Sequence, residues 1–151
     1  MSAVCAPPAA HLLLVDDHTL FRTGLRLIVQ DHPQVAHITE AGSIAQACAL
    51  APAVQPPIDL VLLDIQMPGM NGLDGMRLLR QNFLHARVVV VSASVAPDAV
   101  REARARGADG FLPKCASSTD IWDAITLALQ GQPCFPDNHL SSALPPTPPV
   151  G

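Results

Sequence analysis

Three carboxylates, one ammonium and one hydroxyl stand at the ends of short apolar runs in this 151-residue chain. LLLVDD ends in Asp16 and Asp17, DLVLLD in Asp64, VVVVS in Ser92 and GFLPK in Lys114, the only lysine among nine basic residues. Acids gathered where charge is otherwise scarce must be neutralised. A hard divalent cation with oxygen ligands does this, and Mg²⁺, which takes one or two carboxylates and keeps waters for a phosphate, suits the set. A lysine is a compact, flexible point charge fitted to a phosphoryl or carboxylate oxygen, where a planar arginine would clamp two oxygens at once. Three carboxylates and one ammonium sum to −2, so Mg²⁺ brings the set to zero and lets one aspartate accept a phosphoryl group at modest electrostatic cost.

These residues meet only if the runs that carry them are neighbouring strands. HLLLVD, VAHITEA, DLVLLD, RVVVVSA and GFLP read as strands, and helical patterns fill 19–31, 43–53, 72–82, 97–107 and 117–130, which makes five βα units. Ser43 and Ser117 or Ser118 are the expected caps of the second and last helices, and Ile121, Ala124, Ile125, Ala128 and Leu129 recur at helical spacing. LLLV, LVLL and VVVV are unbroken apolar runs, as central parallel strands covered on both faces require. VAHITEA carries polar residues and GFLP a proline, as edges do. With right-handed crossovers the order is 2-1-3-4-5, an α/β, flavodoxin-like doubly wound sheet whose order reverses between the first and third strands. Adjacent strands lie about 4.8 Å apart, so Asp16, Asp17 and Asp64 converge at that reversal.

Composition excludes several classes. Hydrophobic residues make up 49% of the chain, enough for one core of this size. Thirteen acids against nine bases give a net charge of −4, so the chain alone carries no footprint for nucleic acid or an anionic membrane. Four cysteines at 5, 48, 115 and 134 lack zinc-site spacing and read as reduced cytosolic thiols; with neither a basic N-terminal flank nor a long apolar run, a cytoplasmic location is expected. Six of fifteen prolines fall between Pro133 and Pro149. The expected layout is a disordered N-terminus over 1–10, a domain over 11–131 and an extended proline-rich linker or tail over 132–151.

The blocks LLLVDDH, DLVLLDIQMPGMNGL, VVVVSAS and GADGFLPK, in this order and spacing, resemble the receiver domain of two-component response regulators across residues 11–131. DDHTLFRTGLRLIV together with MPGMNGL and GADGFLPK is most similar to the LuxR-type (NarL/FixJ-like) subfamily, whose members usually carry a helix-turn-helix output domain after a linker. The resemblance implies Asp64 as phosphoacceptor, Asp17 as a direct Mg²⁺ ligand, Asp16 as a ligand through water and the Gln66 carbonyl as another. It also implies Lys114 on the phosphoryl group, Ser92 as the switch hydroxyl and Phe111 as the aromatic that reorients with it. Cys115 follows the lysine where many receivers have proline, and Phe111 stands where tyrosine is frequent. The implied partners are a sensor histidine kinase and a second copy of the chain, with DNA reached only through an output domain beyond these residues.

Other readings differ in what they require. A stand-alone receiver would act as a phosphate shuttle or protein-interaction module. An Mg²⁺-dependent aspartyl-phosphate phosphohydrolase needs an acid two residues past its nucleophile, where this chain has Gln66. An FMN binder needs a hydroxyl- and glycine-rich loop where Asp16 and Asp17 stand and would repel the phosphate. His18 reads as an ordinary loop histidine, Phe111 equally as core, Met67 to Gly72 as turn chemistry, and Arg101, Arg104 and Arg106 as a solvated face shared with Glu102.

Overall fold

The structure, a computed structural model, describes residues 10–54, 57–65, 72–93 and 96–135. Strands and helices alternate: β1 (Ala10–Val15), α1 (Thr19–Val29), β2 (Val35–Ala41), α2 (Ile44–Leu50), β3 (Leu60–Asp64), α3 (Gly72–Asn82), β4 (Arg87–Ser92), α4 (Pro97–Ala105), β5 (Gly110–Pro113) and α5 (Ser118–Leu129). All strand pairs are parallel, in the predicted order β2-β1-β3-β4-β5.

Alternation along the strands explains the unbroken apolar runs. Leu12, Leu14, Leu60 and Leu62 face Leu25 and Val29 of α1 and Ile121 and Ile125 of α5. Leu13, Val15, Val61 and Leu63 face the opposite way, onto Ile44 of α2, Met76 and Leu79 of α3 and Val100 of α4. Each fully buried leucine contributes roughly 1.5–3 kcal/mol, so both faces of the sheet hold the strand ends in place.

Local chemistry sets the helix bounds. The Ser43 hydroxyl accepts the Gln46 N–H and the Ser117 hydroxyl that of Asp120, each satisfying an otherwise orphaned donor. The second helix is shorter than the predicted 43–53: Pro52 has no N–H to continue the α-helical ladder, and Ala51–Ala53 tightens into a 3₁₀ turn. The first helix stops at Val29, ahead of Pro33.

The packed chain also continues past the expected boundary at 131. Gly131, at φ +79°, reverses the direction after α5, and its N–H and that of Gln132 close on Ala128 and Leu127 carbonyls. Cys134 then bridges in parallel to Gly110, and Phe135 is buried in the cluster that holds Phe111. A Cβ on Gly110 would collide with the Cys134 side chain, so the edge can be covered only because that residue is glycine. The fourth-helix arginines are exposed as expected, with a further contact: the Arg104 guanidinium lies 4.2 Å above the Phe135 ring, while Arg101 pairs with Asp98 and Arg106 with Glu102. At the other end, β1 begins at Ala10, inside the stretch expected to be disordered. Gln66, the Met67 to Asn71 stretch and the tail from 136 onward lie outside the described residues, as do residues 1–9. No helix among the described residues is long and apolar enough to cross a membrane.

Candidate functional site

The strand ends are locked to one another by backbone hydrogen bonds. The Asp16 N–H donates to the Ala41 carbonyl at 3.0 Å, Ile65 to Val91 at 3.3 Å and Lys114 to Ser92 at 2.8 Å. In register, Asp64 stands opposite Val91 and Ser92 opposite Pro113. The loops that leave these strands therefore open on one edge of the sheet, at the order reversal between β1 and β3 where open α/β sheets bind ligands.

Asp16 and Asp64 are almost fully buried, at 3% and 1% exposure, and so is Ser92 at 2%. Buried charges persist only when paired or otherwise compensated. Lys114 supplies that charge: its Nζ is 2.9 Å from Asp64 Oδ2 and 4.0 Å from Asp16 Oδ2, with the Phe21 ring centroid 4.9 Å away. Asp16 Oδ1 accepts the His18 main-chain N–H at 2.7 Å. Burial is the main cause that raises the Asp16 carboxyl above its ordinary value; the His18 N–H opposes the rise, the Asp64 charge adds to it and Lys114 works against it.

One ammonium does not satisfy the set. Asp16 Oδ2 and Asp17 Oδ1 are buried without a hydrogen-bond partner. Orphaned carboxylate oxygens facing a shared space, all hard donors, fit a cation such as Mg²⁺, which would take oxygens from Asp16, Asp17 and Asp64. One carboxylate oxygen each from Asp16, Asp17 and Asp64 and a ring nitrogen of His18 lie within 4.8 Å of one another.

Among the predicted site residues, Asp16, Asp17, Asp64 and Lys114 are brought together, and Ser92 sits at the same edge at the end of β4. Phe111 lies in β5 at 2% exposure, packed with Val100 and Ala103 under α4, and so belongs to the core. Two further residues join the site. His18, read from sequence as a loop residue, places Nδ1 3.4 Å from Asp16 Oδ1, 3.4 Å from Asp17 Oδ1 and 3.7 Å from Asp64 Oδ2. Its place directly after the acidic pair was the available signal. Arg22 donates to the Asp16 carbonyl and, through Nε at 2.9 Å, to Glu40 Oε1. The order 2-1-3 already put the end of β2, with Glu40, beside that loop.

The family model for the response regulator receiver domain matches residues 12–126. The chain is 40% identical over 123 residues to the nitrate/nitrite response regulator protein NarL of Escherichia coli K12, a match covering 82% of this chain and 56% of that protein, so the chain spans about half the length of this curated relative. Among solved structures it is similar to the signal receiver domain of the putative response regulator NarL from Mycobacterium tuberculosis, with 35% identity and a TM-score of 0.73 over 83% of this chain and all of that one. A LuxR family two-component response regulator from Aurantimonas sp. SI85-9A1 aligns with a TM-score of 0.77 at 29% identity, covering 89% and 96%.

Proposed function

Because the chain belongs to the response regulator receiver domain family and is similar to its NarL- and LuxR-type members, we propose that Asp64 accepts a phosphoryl group from a sensor histidine kinase. In this reading Asp16, Asp17, Asp64 and the Gln66 carbonyl hold Mg²⁺, and the modified receiver controls a LuxR-type DNA-binding output in a longer protein. Residues 11–131, with the packed stretch to Phe135, are the receiver, and the proline-rich residues that follow are the linker. A sensor kinase and a second copy of the chain are its partners; duplex DNA is not, given the net charge of −4.

The observation that carries this reading is the 2.9 Å contact between Lys114 Nζ and Asp64 Oδ2 within a cluster of buried, incompletely satisfied carboxylates. An Asp64 oxygen attacks phosphorus; the new O–P bond forms as the P–N bond to the donor histidine breaks, and its electron pair stays on the imidazole nitrogen. Lys114 trades part of its contact with Asp64 for an equatorial phosphoryl oxygen. Bound Mg²⁺ would supply the positive charge that offsets the carboxylates and the incoming phosphoryl oxygens. Ser92, buried at the end of β4, is the hydroxyl drawn toward the phosphoryl group, and Phe111 follows by repacking under α4.

Incubation with acetyl phosphate and Mg²⁺ tests the reading. The parent chain should gain one acid-stable, base-labile phosphate, lost in Asp64→Asn and in the presence of a chelator. Labelling of Asp64→Asn, or indifference to the chelator, overturns it.

A further inference from the structure

We infer that His18 is an imidazole ligand that lets the acidic cluster bind first-row transition cations of borderline softness, such as Co²⁺ and Zn²⁺, with a preference over Mg²⁺ that the carboxylates alone would not give. The inference rests on the reading of the cluster as a divalent-cation site.

The spacing is that of atoms able to share one ion. Donors about 2.1 Å from a common ion lie about 3.0 Å apart at adjacent octahedral positions and about 3.4 Å apart at tetrahedral ones. His18 Nδ1 is 3.4 Å, 3.4 Å and 3.7 Å from oxygens of Asp16, Asp17 and Asp64. The ring reaches this place because the His18 N–H is tied to Asp16 Oδ1 at 2.7 Å. Although His18 is the N-cap of α1, its side chain makes no cap hydrogen bond.

A second observation points to a missing ligand. Asp16 is only 3% exposed, and its Oδ2 has no hydrogen-bond partner; Lys114 Nζ stands 4.0 Å away, beyond hydrogen-bond reach, and is spent on Asp64. Asp17 Oδ1, the oxygen 3.4 Å from His18 Nδ1, is likewise buried without a hydrogen-bond partner, so an oxygen that calls for a cation stands directly beside the imidazole.

Ligand chemistry then separates the ions. Mg²⁺ demands oxygen donors and keeps much of its water, so an imidazole adds little to its binding. Co²⁺ and Zn²⁺ accept imidazole readily, and a neutral nitrogen donor strengthens their hold without adding to the crowded negative charge. The competing arrangement is a protonated His18 ion-paired with the carboxylates; it would oppose every divalent cation alike.

Calorimetric titration of the full chain with Mg²⁺ and with Co²⁺, for the parent and for His18→Ala, decides between them. With its side chain 60% exposed, His18 can be truncated with little threat to the fold. Outer partners of metal ligands already change affinity by about 10–100-fold, so loss of a direct ligand should lower the Co²⁺-to-Mg²⁺ affinity ratio by about tenfold or more. The isotropically shifted imidazole ring resonances of the Co²⁺ protein should vanish in the same variant. If Mg²⁺ binds and the ratio is unchanged, or both ions bind more tightly to His18→Ala, the inference fails while the proposed function stands. If neither ion binds the parent, both fail.

Discussion

The main-chain N–H of Phe111 donates to the Cys134 carbonyl at 2.9 Å, which joins the edge strand of the sheet to the chain that follows α5. The next residue, Phe135, is 4% exposed and packs into the cluster that contains Phe111, Val100 and Ala103. Phe135→Ala should therefore leave a cavity under α4 and cost about 3–5 kcal/mol. Urea unfolding of the full chain measures this directly; a loss below about 1 kcal/mol, the size of a surface effect, would show that the segment past Gly131 is not part of the core.

Asp16 makes the opposite case, a residue whose charge costs stability. Its folded-state pKa is raised, chiefly by burial, so the fold favours the protonated form. That contribution is full below the ordinary value of 3.8 and is lost as pH rises through the folded value. At neutral pH in a chelator, Asp16→Asn should then be more stable than the parent by roughly 1–3 kcal/mol, and saturating Mg²⁺ should narrow the gap because the parent, with one more carboxylate, gains more from the ion. Thermal unfolding with and without Mg²⁺ provides the comparison, and a variant less stable than the parent in chelator would contradict it.

The parts legible in the sequence were those where one signal dominates. Unbroken apolar runs marked β1, β3 and β4 as central, the polar residues of VAHITEA marked β2 as an edge, and from that order the meeting of Asp16, Asp17 and Asp64 followed. Less legible were contacts that depend on side-chain reach. His18 looks like any loop histidine until the turn after Asp17 brings its ring back over the carboxylates. Arg22 belongs to the amphipathic pattern of α1, and only the spatial nearness of Glu40 shows that it braces the Asp16 carbonyl. The packing of Cys134 and Phe135 was hidden because the prolines around them signal a linker, whereas Gly131 turns the chain back and Gly110 leaves room for it.

A histidine far from the acidic cluster should set the pH dependence of stability. His32 Nδ1 accepts the Gln34 N–H at 3.0 Å, which leaves Nε2 to donate to Thr126 Oγ1 at 2.9 Å; that hydroxyl donates in turn to the Trp122 carbonyl at 3.0 Å. Protonation would place a second donor against the Gln34 N–H, and burial lowers the His32 pKa from its ordinary 6.5. The contribution is thus present above 6.5 and lost as pH falls from there toward the lower folded value. Unfolding free energy should decline from about pH 7.5 to about pH 5.5, and His32→Gln should flatten that slope. Trp122, whose ring centroid is 5.3 Å from that of His32, gives an intrinsic fluorescence signal for the same titration. An unaltered slope in the variant would assign the dependence elsewhere.

The bracing of the acidic loop can be tested through Arg22. Its guanidinium joins the Asp16 carbonyl to Glu40, which Arg26 also approaches at 3.2 Å. Because the Arg22 side chain is only 18% exposed, the pair is screened less than a surface salt bridge, and its planar fork serves two acceptors that a lysine cannot serve together. Arg22→Ala should leave the fold intact at a cost of about 1–3 kcal/mol, from an unsatisfied carbonyl and a Glu40 that keeps its contact with Arg26 but loses the one with Arg22. The larger effect should fall on the loop that presents Asp16 and Asp17: Mg²⁺ affinity is expected to drop about tenfold, by the same logic that makes outer partners of metal ligands matter. Arg22→Lys should recover stability more fully than Mg²⁺ affinity, since a point charge can pair with Glu40 but not also hold the carbonyl. Mg²⁺ titration and urea unfolding of both variants separate the two effects, and a purely structural role would show as parallel losses in stability with Mg²⁺ affinity unchanged in either variant.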